Sequence, residues 1–234
     1  MTGPKALLFD VFGTVVDWRS SVISELETFF APREVVLDWE QFALDWRALY
    51  QPAMDAVRSG AREYVALDVL HRENLEVLLA RHGIRGLSGD DLWHLTTVWH
   101  RLDPWPDCAA GLARLKQQRI VATLSNGNIA LMVNLSRHGG LVWDAILGAE
   151  IARAYKPDAA VYLRAAEALD LAPGDCMMVA AHNGDLRAAR ALGLQTAFIL
   201  RTTEYGPGQT ADLKAEEDWD FVTDSLTGLA DALA

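Results

Sequence analysis

Short apolar runs closed by polar residues or glycine alternate along this chain with stretches of helical period. Lys5 to Phe12 (KALLFDVF) is apolar apart from Lys5 and Asp10, and Gly13-Thr14 closes it. A nearly continuous apolar run of this kind predicts a strand buried on both faces of a parallel sheet. Comparable runs predict strands over Arg119–Ser125, Ala145–Ala149, Cys176–Ala181 and Gln195–Leu200. Segments 107–118, 128–138, 158–170 and 185–192 carry helical spacing. Strands and helices in that alternation predict a doubly wound α/β sheet.

Residues 19–103 break the alternation, with helical patterns over 20–30, 38–58, 61–82 and 89–101 and no convincing strand. They read as a helical cap domain inserted into an α/β core domain made of 1–18 and 104–234. Asp103-Pro104-Trp105-Pro106-Asp107 is the natural return linker, because proline disfavours helix at the residue before it. Thr202 to Trp219, with Gly206-Pro207-Gly208 and several acids, reads as a surface wrap before a last helix.

Composition bounds the function. A chain of 234 residues that is 51% hydrophobic can bury roughly 70% of its unfolded surface without disulfides or structural metal. Asp and Glu number 32 against 21 Lys and Arg, a net charge of −11 with no basic run. A nucleic-acid partner is therefore not expected, since that affinity comes from Lys and Arg displacing counterions. Any anionic ligand would depend on local cations or helix N-termini. Cys108 and Cys176 form neither a CxxC nor a Cys/His cluster, which points to a reducing compartment and no zinc site. The start, Met1-Thr2-Gly3-Pro4-Lys5 followed by a short apolar run that meets Asp10, fits neither a signal peptide nor a membrane span. A cytoplasmic protein without a membrane partner is expected.

Ligands of open parallel sheets bind at the carboxyl ends of the strands. Here those ends carry Asp10, then Ser125-Asn126-Gly127-Asn128, then Lys156, then His182-Asn183-Gly184-Asp185. Two carboxylates, a hydroxyl/amide pair and an ammonium would converge on one crevice, which is an active-site constellation.

On these residues the chain resembles the haloacid dehalogenase superfamily, over essentially its whole length. Phe9-Asp10-Val11-Phe12-Gly13-Thr14 is similar to the first motif of that superfamily, Leu124-Ser125-Asn126-Gly127 to the second, Tyr155-Lys156-Pro157-Asp158 to the third and Asn183-Gly184-Asp185 to the fourth. Superfamily phosphatases carry a second Asp two residues after the nucleophile to protonate the leaving alkoxide. Phe12 holds that position here, and a halide leaving group needs no proton. Together with Asp45-Trp46-Arg47 and with Tyr162 downstream of Lys156, this resembles the (S)-2-haloacid dehalogenase branch.

The resemblance implies a hydrolase that converts a short 2-haloacid, such as a haloacetate (fluoroacetate included) or a 2-halopropionate, to the 2-hydroxy acid. Neither metal nor cofactor is implied; a homodimer is. Asp10 would displace the halide and form an aspartyl ester. Ser125 and backbone N–H groups around Val11 and Phe12 would hold the substrate carboxylate, Lys156 would offset the negative charge, and Arg47 and Asn126 would receive the halide. Water positioned by Asp185 would then cleave the ester.

Several of these residues also have plainer readings. His182 stands where the family has Asn, and is read as polarising the water or contacting the halide. Ser125 could also N-cap the next helix, Thr14 could hydrogen-bond Asp10 while it serves the turn with Asp17, and Tyr162 is either pocket wall or core. His94 and His100 lack the i, i+4 spacing of zinc ligands, and Trp39, Trp46, Trp93, Trp99 and Trp105 read as packing. The alternatives for the whole chain are a Mg-dependent phosphatase of the same fold, against which Phe12 speaks, and a catalytically silent binding protein, against which Asp10, Ser125, Lys156 and Asp185 speak.

Overall fold

The structure, a computed structural model, describes residues 3–234, so Met1 and Thr2, on which the reading of the chain start partly rests, lie outside the described residues. Strand β1 (Ala6–Phe9) leads through a turn to the two-residue strand β2 (Val16–Asp17). Five helices follow: α1 (Trp18–Phe30), α2 (Trp39–Ala48), α3 (Tyr50–Arg58), α4 (Leu67–Arg81) and α5 (Gly89–Thr96). The chain returns through β3 (Asp103–Pro104), which pairs antiparallel with β2, so the points of departure and return lie side by side. That small ribbon is absent from the sequence reading, since two residues carry no periodicity.

Alternation then resumes with α6 (Cys108–Leu115), β4 (Ile120–Ser125), α7 (Ile129–Gly139), β5 (Ala145–Gly148), α8 (Ala149–Ala152) and α9 (Ala159–Ala168). It closes with β6 (Cys176–Ala180), α10 (Asn183–Ala191), β7 (Gln195–Ile199), β8 (Phe221–Thr223) and α11 (Leu226–Ala232). The six-stranded sheet has the order β5-β4-β1-β6-β7-β8, with every pairing parallel. Strand β8 lay unread in the acidic C-terminal stretch because three half-exposed residues do not make an apolar run.

Both faces of the sheet are covered, and alternate residues divide between two cores. Leu7, Phe9, Met177 and Val179 join one that continues into the helical segment through Trp18, Trp46 and Trp99. Ala6, Leu8, Met178 and Ala180 face the other, with Tyr162 and Phe198. The period-two geometry of a strand explains why apolar residues are needed at every position of β1.

Two departures from the predicted helices have local causes. The single helix expected over 38–58 is split between α2 and α3, because Pro52 lacks an N–H and its ring would clash with the carbonyl of Ala48 four residues back. The helix expected from residue 61 begins only at Leu67, since Gly60 adopts φ +75° and ends α3. Asp17 caps α1 by accepting from the Ser20 N–H, and a Ser88/Asp91 capping box starts α5. Among the described residues no helix is long and apolar enough to cross a membrane, and both cysteines are free and buried.

Gly148 ends β5 at φ +132°, where a Cβ would lie 2.1 Å from the Ser125 carbonyl oxygen. Gly140 caps α7 at φ +62° with open space around it. Gly140→Ala is expected to cost about 1 kcal/mol, from backbone strain alone. Gly148→Ala adds a clash with β4 and is expected to cost at least about 3 kcal/mol in denaturant unfolding. Equal costs would contradict this packing.

Candidate active site

The parallel register sets Phe9 abreast of Thr123 on one side and Val179 on the other, so the residues just past these three strands meet at one edge of the sheet. Asp10 continues the ladder by one more bond, its N–H donating to the Val179 carbonyl at 3.0 Å. Its two carboxylate oxygens have different partners. Lys156 Nζ donates to Oδ1 at 2.9 Å, while Oδ2 accepts from Thr14 Oγ1 at 2.8 Å and lies 3.1 Å from His182 Nδ1. The Thr14 hydroxyl has only one direction open to its proton, because its oxygen already accepts from the Ala181 N–H at 2.8 Å.

Lys156 also donates to Asp185 Oδ2, and the Tyr162 hydroxyl donates to Asp185 Oδ1 at 2.5 Å. The lysine is held by its own backbone. Its N–H donates to Asn126 Oδ1 at 2.8 Å, and its carbonyl accepts from Arg58 Nη1 of α3 at 2.6 Å. The second and third motifs are thus tied to each other and to the helical segment.

A cavity of about 400 Å³ opens over these groups, and Asp10, Phe12, Arg47, Asn126, Lys156, Tyr162, His182 and Asp185 all line it. Arg47 reaches in from α2 with its guanidinium carbon 4.2 Å from the Tyr50 ring centre and 5.9 Å from that of Phe12. Its Nη1 is buried without a hydrogen-bond partner among the described residues. Phe12 meets Trp99 edge-on at 6.0 Å, which joins the first motif to the aromatic core of the helical segment.

Three expected site residues fall outside the cavity wall, and one of them, the fully buried Thr14, sits behind Asp10 with its hydroxyl on that carboxylate. Ser125 is fully buried, and its Oγ accepts from the Gly127 N–H at 3.0 Å. It therefore braces the second motif's own turn, and the cap position of α7 belongs to Asn128. The Val11 side chain packs in the core, as strand alternation requires of the residue after Asp10, and its carbonyl accepts from Val15 and Val16. His94 stacks on Phe29, and His100 is buried against Asp68 at 3.0 Å, so both serve packing. Of the five tryptophans read as packing, Trp39, Trp46 and Trp99 are buried and Trp105 is half-buried against the same core, whereas Trp93 is exposed and packs against none of it.

Burial alone would raise the Asp10 carboxyl, but the Lys156 ammonium and the neighbouring His182 ring outweigh it and hold the group well below the ordinary 3.8. Lys156 is opposed by burial and raised above 10.5 by Asp10 and Asp185. Burial likewise opposes charge on His182, while Glu204 and Asp10 raise it well above 6.5. Burial, then Asp185, keep the Tyr162 hydroxyl protonated and able to donate. Burial pushes His71, stacked 4.4 Å from Trp99, down to about 3, leaving it neutral behind the cavity.

Sequence reasoning missed Glu204, whose Oε2 lies 2.9 Å from His182 Nε2, and also Tyr50, Arg58 and Tyr205 in the cavity wall. Glu204 stands in an acid-rich stretch where nothing sets it apart from its neighbours. The other three lie in a helix or a loop, where tyrosine and arginine are ordinary.

The family model for haloacid dehalogenase-like hydrolases matches residues 4–193. (S)-2-haloacid dehalogenase 4A of Burkholderia cepacia is 28% identical over 236 residues, covering 97% of this chain and 98% of that protein. Two solved structures are closer in sequence. The defluorinating L-2-haloacid dehalogenase Rha0230 has a TM-score of 0.97 at 48% identity, over 98% of this chain and 95% of that one. L-2-haloacid dehalogenase PA0810 has a TM-score of 0.96 at 50% identity, over 99% of both chains. A family model spanning most of the chain, laid over the convergent Asp10, Lys156 and Asp185, places this protein in the haloacid dehalogenase-like hydrolase family.

Proposed function

We propose that this protein hydrolyses the carbon–halogen bond of a short (S)-2-haloacid to the 2-hydroxy acid, with Asp10 as nucleophile. The observation that carries the reading is the pair Asp10 and Phe12. A buried carboxylate kept ionised by Lys156 faces the cavity, and the position two residues on, where ester chemistry needs an acid for its leaving alkoxide, holds a phenyl ring packed on Trp99. Halide leaves as a stable anion and needs no such acid. The naming of relatives across the length of the chain as (S)-2-haloacid dehalogenases supports the same reading.

The residues take these roles. An ionised Asp10 attacks the halogen-bearing carbon, the C–X pair leaves with the halide, and an ester forms. Arg47, with a buried unpartnered N–H beside Phe12, is suited to the departing halide, and Asn126 and Tyr162 shape the adjoining wall. The substrate carboxylate is left to N–H groups of the loop around Val11 and Phe12, with Ser125 acting through the turn it braces. Thr14 and His182 fix Asp10, and Asp185 takes a proton from the attacking water. In this reading 1–18 and 104–234 act as the α/β core domain and 19–103 as its helical cap. Fluoroacetate is a fitting substrate given the defluorinating relative.

Haloacetates and 2-halopropionates, with and without EDTA, are expected to give halide release that EDTA does not change, and a generic phosphate ester to give no phosphate. EDTA-sensitive phosphate release without halide would establish the phosphatase instead, and silence on both the binding protein.

Replacement of Lys156 by Met removes the cation that opposes burial at Asp10, so the carboxyl pKa rises and the nucleophile is lost as pH falls. Wild-type halide release in a first turnover is expected to stay level from roughly pH 5 to 9, whereas Lys156→Met is expected to be about 100-fold slower and to decline toward acid. A flat profile in the variant would contradict the role given to Lys156.

A further inference from the structure

Glu204 has no part in the scheme above, yet it is 1% exposed and both its oxygens are engaged inside the site. Oε1 accepts from Trp18 Nε1 at 2.9 Å and Oε2 lies 2.9 Å from His182 Nε2. The seat is built for it. A Cβ on Gly13, in the first motif, would lie 2.2 Å from the Glu204 carboxylate, so only glycine leaves room. The loop that carries it is fastened to the same motif, since Arg201 Nε donates to the Thr14 carbonyl at 3.1 Å and its two terminal nitrogens pair with Asp107 at 2.8 Å each.

The consequence falls on His182. With Nε2 on Glu204 and Nδ1 on Asp10 Oδ2, each nitrogen of the ring faces a carboxylate, and a proton on each satisfies both. Charges facing the ring are Asp10 on the strand side and Glu204 on the loop side. Lys156 and Asp185 lie beyond Asp10, Tyr205 and Asp212 share the cavity wall, and Arg47, in the same wall, is close enough to Glu204 to feel its charge. Oδ2 thus accepts from Thr14 and has His182 Nδ1 3.1 Å away, whereas among the described residues Oδ1 faces Lys156 alone, which keeps a second acceptor in Asp185. An oxygen with one donor is the better nucleophile, and the doubly held one is preorganised to carry charge.

We propose that Glu204 is the positioning residue for ester hydrolysis: by holding a second proton on the His182 ring it keeps a positively charged N–H against Asp10 Oδ2, the oxygen that becomes the oxyanion when water attacks. This rests on the dehalogenase reading above. Oδ1 forms the ester bond as halide departs with its electron pair. Water then bonds to Cγ, giving one proton to Asp185, and the carbonyl pair moves onto Oδ2 between His182 and Thr14. Collapse breaks the Cγ–Oδ1 bond, the alkoxide takes the proton from Asp185, and the second water proton leaves Asp10 for solvent.

Glu204→Gln separates the two chemical steps. First-turnover halide release is expected to stay within about threefold of wild type while steady-state turnover falls about 100-fold, so that the Asp10 ester accumulates and is seen by mass spectrometry of acid-quenched protein. Turnover of Glu204→Gln should recover toward acid pH, where the ring regains its second proton, and that of His182→Phe should not. A merely structural role would lower both steps together and leave the pH profile unmoved, and that result overturns the proposal, as does wild-type turnover in Glu204→Gln. If Glu204→Gln fails to fold, histidine 15N NMR of the wild type decides. Two protonated nitrogens on His182 at pH 8 support the proposal, and a ring that titrates at the ordinary 6.5 overturns it. Absence of halide release by the wild type from every haloacid would remove the dehalogenase reading, and this inference with it.

Discussion

The Lys156 ammonium between Asp10 and Asp185 is the contact on which the rest of the site depends. Each of the three side chains is at most about one-tenth exposed, and two buried carboxylates without a cation would either take up protons or force the strand ends apart. Removing one partner from a buried ion pair typically costs about 3–5 kcal/mol, since the remaining charge is stranded. Much of the surrounding architecture serves to hold that ammonium in place. Asn126 fixes the backbone N–H of the lysine, Arg58 takes its carbonyl, and Tyr162 satisfies the second oxygen of Asp185. Around this triad the local charges nearly balance, with Asp10, Asp185 and Glu204 facing Lys156, Arg47 and a protonated His182, while the chain as a whole carries −11.

The sheet and its site were legible to different degrees. Four motif ends could be placed because a parallel sheet buried on both faces forces continuous apolar runs, and the polar residue that ends each run stands out. Asp10 after Leu7-Leu8-Phe9 is the clearest instance. Elements of two or three residues, such as β2, β3 and β8, leave no periodic trace and are fixed by tertiary pairing alone. The break between α2 and α3 was readable in principle, since Pro52 carries the cause within the sequence.

Side-chain direction was harder to read than position. Ser125 and Val11 stand in motif positions, yet both turn inward, one onto its own turn and the other into the core. Glu204 shows the opposite case, because a residue in a loop acquires its place only when Gly13, nearly the whole chain away, leaves room for its carboxylate. Such a pairing between distant segments has no local signal. Arg47 was readable only through resemblance, and its setting against Tyr50 and Phe12 comes from the packing of α2 over the first motif.

In the proposed reaction Asp10 itself carries the substrate as an ester. A single turnover in H2(18)O with enzyme in excess over haloacid tests it directly, followed by mass analysis of the peptide that contains Asp10 and of the hydroxy acid. Heavy oxygen is expected in the Asp10 carboxylate, with none in the product, whose new oxygen comes from the aspartate. Heavy oxygen in the hydroxy acid and an unlabelled Asp10 would contradict the account, since water would then have displaced the halide without an ester.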